Sequence, residues 1–118
     1  MEDWPKLDPE EFLKIAQNHP DRIPIFVRKA KNCQSSIPEV AKKKYLAPKS
    51  LTLGQFAYII RRQMVLSSDS ALFFFVGGTL PTTGTLLVEL YQQHKEADGS
   101  LHIEYTSESV FGSSFRSL

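Results

Sequence analysis

The chain has a single cysteine, Cys33, so no intrachain disulfide can form and a reducing compartment suits it. Net charge is nearly absent: fourteen basic against thirteen acidic side chains leave +1, too little for a domain built to neutralise many nucleic-acid phosphates. No nucleic-acid partner is expected. Long apolar runs are also missing, since the longest, Ala71 to Val76, falls far short of the roughly twenty residues that span a bilayer as a helix. The opening residues MEDWPKLDPEEF carry acids where a secretory signal needs a basic start and an apolar stretch. A cytoplasmic location follows as the expectation, with any membrane attachment supplied by a covalent group or a partner. His19, His94 and His102 are scattered, and Cys33 sits in a polar stretch with no base placed beside it. No metal site, cofactor or enzyme activity is expected from them.

What remains is an ordinary globular composition, 42% hydrophobic and 23% charged over 118 residues. At that length about two-thirds of the unfolded surface is buried on folding, enough for one core. Asp8, Pro9 and Glu11 mark a helix start whose apolar face takes Phe12, Ile15 and Ala16, and Pro20 closes it. Strand alternation runs through Ile23 to Ala30, followed by a polar loop from Lys31 to Pro38 and a second strand over Lys43 to Ala47. These two strands predict an antiparallel hairpin with a long connection. Thr52 and Gln55 form a T-x-x-Q capping box ahead of Phe56, Ile59, Ile60 and Met64, which predicts the central helix.

The uninterrupted apolar run Ala71 to Val76 predicts a buried central strand ended by Gly77 and Gly78. A further helix is expected from about Thr85 to His94, then a polar turn at Asp98 and Gly99, then a strand over Leu101 to Tyr105. The order helix, strand, strand, helix, strand, helix, strand predicts an α+β domain: a four-stranded mixed sheet with a main helix across it, a β-grasp carrying an added N-terminal helix. One domain is expected, with residues 1–18 as helical extension, 19–106 as body and 107–118 as a flexible tail.

Six collinear blocks, HPDRIPIFVRKA, KKKYLAP, LTLGQF, ALFFFVGGTLP, ELYQQH and YTSESVFG, resemble the GABARAP-type autophagy modifiers, the family that includes the microtubule-associated light chains. The resemblance runs from about His19 to Gly112. It implies a ubiquitin-like fold and a conjugation cycle: a processing cysteine protease cuts after Gly112, which Phe111 precedes, and removes residues 113–118. Activating and carrier enzymes then pass the freed carboxylate to the amine of phosphatidylethanolamine, placing the protein on the autophagosome membrane. A glycine suits that step because it has no Cβ to crowd a narrow channel. Read without the family, Gly112 is a glycine near a chain end, and two alternatives stay open: a ubiquitin-like scaffold that is never conjugated, and a modifier directed to a protein lysine.

The resemblance also implies that short-motif cargo receptors and adaptors dock peptides of the form W/F/Y-x-x-L/I/V on the edge of the second strand. By residue match, the aromatic pocket takes Glu11, Ile15, Pro24, Lys44 and Leu46, and the aliphatic pocket takes Tyr45, Ala47, Pro48, Leu51, Phe56 and Ile59. Arg22 and Arg62, with Lys42 to Lys44, attract acids flanking such peptides. Lysines also blunt a strand edge against aggregation, which is the plainer reading of that charge run. The chain departs from the family in a shorter stretch before Asp8, a longer first loop around Cys33 to Pro38, Ser100 in place of a large apolar residue, and Ala47 in place of valine. Roomier pockets are expected from the last two. Trp4 and Leu7, preceded by Glu2 and Asp3, themselves read as an acidic W-x-x-L motif that would occupy the chain's own groove or a neighbour's, although Pro5 has no donor for a strand ladder. The body is expected to be monomeric before conjugation.

Overall fold

The computed structural model describes residues 4–31, 33, 36–67 and 69–108. Seven elements follow one another: α1 (Pro9–Asn18), β1 (Arg22–Lys29), β2 (Lys44–Pro48), α2 (Leu53–Arg62), β3 (Phe73–Phe75), α3 (Leu87–His94) and β4 (Leu101–Thr106). The strands form one sheet in the order β2-β1-β4-β3. β1 pairs antiparallel with β2 and parallel with β4, and β3 pairs antiparallel with β4. The predicted element order and the mixed four-stranded sheet are both present.

Alternation divides the side chains between two layers. Ile23, Ile25 and Val27 of β1, Tyr45 and Ala47 of β2, and Leu101, Ile103 and Tyr105 of β4 join Leu53, Phe56 and Ile60 of α2 and Leu87 and Leu90 of α3 in the main core. Burying each of the larger apolar side chains contributes roughly 1.5–3 kcal/mol. The opposite face carries a smaller cluster of Leu7, Ile15 and Phe26, with Trp4, Phe12 and Leu46 packed against it. β1 is therefore buried from Ile23 to Val27, because both of its faces are covered.

Local chemistry sets the helix starts. The Asp8 side chain accepts from Glu11 N at 2.7 Å, and Pro9 opens α1. Thr52 and Gln55 form the expected reciprocal cap of α2, with bonds of 2.9 and 3.1 Å. The long β1–β2 connection is pinned by Tyr105, whose hydroxyl donates to Pro38 O and accepts from Val40 N, both at 2.8 Å. Burial pushes that phenol up to about 12. Gly77, at φ +59, closes β3 with the His94 ring 2.4 Å from where a Cβ would stand.

Two expectations need correction. β3 is an edge strand, shorter than Ala71 to Val76 and bonded to β4 alone. A continuous apolar run reports that both faces of a strand are covered, and it carries no information about the strand's rank in the sheet. Ala16 is exposed, so the apolar face of α1 is Phe12 and Ile15 without it.

Candidate functional site

β2 is the other edge, and its backbone parity decides what it offers. Val27 N donates to Lys43 O at 2.8 Å, which makes Val27 and Lys43 a hydrogen-bonded pair. Alternation along an antiparallel ladder then turns the N–H and C=O groups of Tyr45 and Ala47 inward to β1, and those of Lys44 and Leu46 outward. Pro24 fits this parity, since it faces Leu46 at a position where no donor is needed. Outward, Leu46 O is held by Arg22 Nη1 at 3.0 Å. Pro48 has no N–H, so the donors offered along this rim of β2 are Lys44 and Leu46.

The two faces of β2 have different surroundings. On the outer face, Glu11, Lys14, Ile15, Asn18 and His19 of α1 and its C-cap meet Lys44 and Leu46 around an opening of about 260 Å³. An ion pair between Lys44 Nζ and Glu11 Oε2 spans it. On the core face, Tyr45 packs edge-on against Phe56, with ring centroids 5.5 Å apart, and bonds Gln63 Oε1 at 2.8 Å. Lys42 Nζ lies 4.9 Å over the Tyr45 ring. Leu51 is half-buried against this core and Ile59 is 40% exposed.

The sequence-derived residues are distributed unevenly over this geometry. Glu11, Ile15, Lys44 and Leu46 line the outer recess together. Pro24 is buried in β1 below them. Phe56, placed in the aliphatic pocket by residue match, is 1% exposed and belongs to the core. Arg62 is engaged with Tyr58, its Nη1 3.3 Å from the hydroxyl. Lys14, Asn18 and His19 were missed by sequence reasoning, although Glu11, Lys14, Ile15 and Asn18 recur at the helical spacing that marks one face of α1. Phe26 was missed as well, and its signal was its parity with Pro24. Phe111 and Gly112 lie outside the described residues, as does the expected tail beyond Glu108.

The Trp4–Leu7 segment does not follow the rim of β2. It runs on the outer face of the sheet, where Trp4 stacks on His102 with centroids 4.1 Å apart and Arg28 Cζ lies 3.9 Å from the ring on Trp4. Arg28 Nε in turn bonds Glu104 Oε2 at 2.7 Å. His102 is thus packed under an aromatic lid and is not a surface residue.

Desolvation lowers the His102 pKa below its ordinary 6.5; the Arg28 charge acts the same way and Glu96, Asp98 and Glu104 oppose it. Its Nε2 is buried with no protein partner, so an imidazolium would hold an N–H without an acceptor. An unfolded chain takes up this proton near pH 6.5 and the native chain only at lower pH. The stability contributed is complete above that value and is lost as pH falls through it. Melting temperature is expected to decline between about pH 7.5 and about pH 5, and His102→Gln to flatten that slope. An identical slope in the variant would contradict the assignment.

Among the described residues, no group of three or more His, Cys, Asp or Glu is placed to hold a metal ion, and no helix is long and apolar enough to cross a membrane. Comparison with known proteins decides the family. The profile described as "Autophagy protein Atg8 ubiquitin like" matches residues 8–112. The chain belongs to the Atg8 family. Autophagy-related protein 8a of Arabidopsis thaliana is 46% identical over 103 residues, covering 87% of this chain and 83% of that protein. Autophagy-related protein 8 of Candida glabrata is 46% identical over 102 residues, covering 86% and 85%. The crystal structure of Trypanosoma brucei ATG8 superposes with a TM-score of 0.77 at 34% identity, covering 88% of each chain. Atg8 proteins are ubiquitin-like and act in autophagy, and the sheet described above is the ubiquitin-like fold of that family.

Proposed function

We propose that this Atg8-family chain is a modifier conjugated through Gly112 to phosphatidylethanolamine and that its β2 rim recruits cargo receptors and adaptors carrying W/F/Y-x-x-L/I/V peptides during autophagosome formation. The observation that carries the recruiting half is the outward Lys44 and Leu46 rim with a recess on its outer face and the partly exposed Leu51 and Ile59 on the other. A docked strand hydrogen-bonds along that rim. Residues three apart in a strand point to opposite faces, so an aromatic anchor directed to the outer recess sends the residue three positions on toward Leu51 and Ile59. The spacing of the motif thus follows from the pleat. Arg22 leaves Leu46 O when the peptide's donor arrives, and becomes available to flanking acids.

Family membership supports the conjugating half, together with the position of Gly112 at the end of the matched stretch. A cysteine protease hydrolyses the bond after Gly112 and removes residues 113–118. The activating enzyme adenylates the freed carboxylate with a nucleoside triphosphate, releasing pyrophosphate, and its thiolate displaces the nucleotide to form a thioester. The carrier's thiolate then takes over the acyl group, with the first thiol leaving. The ethanolamine amine attacks the thioester carbonyl, an amide forms, and the carrier's thiolate leaves. Two acyl chains then hold a cytoplasmic protein on the autophagosome membrane more durably than one would. The chain itself contributes the acyl donor and the docking surface and catalyses no step.

Titration with an acidic W-x-x-L peptide, followed by backbone amide shifts, tests the recruiting site. Shifts are expected at Lys44, Leu46, Ile15 and Ile59, with affinity falling as salt shortens the screening length from about 10 Å at 0.1 M to about 3 Å at 1 M. Shifts centred on β3, the opposite edge, would contradict it.

A further inference from the structure

Behind the lining of the outer recess lies a residue that belongs to no helix or strand. Leu7, 4% exposed, packs in one cluster with Ile15 and Phe26, and Leu46 packs against that cluster. Ile15 and Leu46 also line the 260 Å³ opening. The space behind is available because β4 is approached by small residues. Gly99 takes φ +89 with the Phe12 ring 2.3 Å from where a Cβ would stand, and Ser100 is fully buried. The expected room beside Ser100 is taken up by Phe12 and Leu7.

Leu7 is held there by specific means. Its N–H donates to Asp98 Oδ2 at 2.8 Å, while Oδ1 of the same carboxylate accepts from Ser100 N at 2.9 Å and Ser100 Oγ at 2.7 Å. Three residues upstream, Trp4 is clasped between Arg28 and His102. One end of the strap is thus fixed by a carboxylate and the other by a ring sandwich.

We infer that Leu7 is a specificity-determining residue of the peptide groove: as part of a strap clamped by Asp98, Arg28 and His102, it sets the depth of the outer recess and so the size of the anchor side chain admitted. This rests on the reading of the β2 rim as a docking edge. Leu7 supports Ile15 and Leu46 from behind, so with it in place the recess favours a leucine-sized or single-ring anchor, and its truncation deepens the recess toward a full indole. Trp4 is the chain's one tryptophan, so its fluorescence reports the strap alone when the peptide carries none.

The test measures calorimetric affinities of two acidic peptides identical except for a tryptophan or a leucine at the first anchor, on the full chain and on its variants. Leu7→Ala is expected to raise the tryptophan-to-leucine affinity ratio about tenfold. Leu7→Met, of similar volume, is expected to restore the wild-type ratio. Should Leu7→Ala fail to fold by circular dichroism, Asp98→Asn keeps the side chain and loosens its tie, and is expected to raise the ratio in smaller measure. Both peptides binding with an unchanged ratio in the folded variant would overturn the inference and leave the docking edge intact. Neither peptide binding any of the proteins would overturn the docking edge and this inference together.

Discussion

Leu46→Pro is expected to reduce the affinity for a W-x-x-L peptide about a hundredfold while leaving the fold intact. The Leu46 N–H points away from β1, so its loss removes no bond of the sheet. Proline is tolerated on such a rim, and the preceding Tyr45 is already extended. A docking strand, by contrast, loses a donor, leaves its own carbonyl unpaired at about 1–3 kcal/mol, and meets the ring where a hydrogen stood. Leu46→Ala serves as control for the side chain and is expected to cost about tenfold, since it removes apolar wall and keeps the donor. Tyr45→Pro gives the opposite pattern. Its N–H faces Ile25 and its hydroxyl bonds Gln63, so the loss falls on stability, on the order of 3 kcal/mol or more. Equal effects of proline at 45 and 46 would contradict the backbone parity assigned to β2. Chemical denaturation and calorimetry on the three proteins separate the outcomes.

Gly112→Ala is expected to lower the rate of processing and conjugation about a hundredfold, the scale on which small misplacements of a reacting carbonyl act. The added Cβ stands beside the carbonyl carbon that is attacked at every step, by the protease thiolate, by the thiolates of the activating and carrier enzymes, and last by the ethanolamine amine. Thermal unfolding of the body is expected to be unchanged, because among the described residues the core ends at Thr106. Peptide binding should be unchanged too, since the β2 rim lies elsewhere in the chain. Wild-type rates of cleavage and lipid transfer in this variant would remove Gly112 as acyl donor.

Much of this was legible in the residues. Thr52 and Gln55 named the start of α2 because a capping box is a local device that depends on four consecutive residues, and Asp8 and Pro9 did the same for α1. The KYLAP block marked the proposed docking edge only through family resemblance; its lysines alone read more plainly as a solvated rim. Strand order was not legible. Phe73, Phe74 and Phe75 read as central because apolar composition records covering of the faces, while rank depends on which strand finds a partner far away in sequence. Phe26 and Phe56 show the same limit at single-residue scale: one belongs to the outer cluster and the other to the core, and only the packing of α1 and α2 on opposite faces tells them apart.

The path of Trp4 and Leu7 was also hidden. As text they form a groove-binding motif, and Pro5 argued only that they could not ladder. Their actual position depends on Asp98, Ser100 and His102, more than ninety residues away, whose small and polar side chains make a berth that no local pattern near Trp4 announces.

Reconstitution with liposomes containing phosphatidylethanolamine, the processing protease and the activating and carrier enzymes, read by intact-mass spectrometry, tests the conjugation directly. The expected product is the chain ending at Gly112 joined to one phosphatidylethanolamine with loss of one water. A chain that keeps residues 113–118 and stays free of lipid, or one joined instead to a protein lysine, would contradict it.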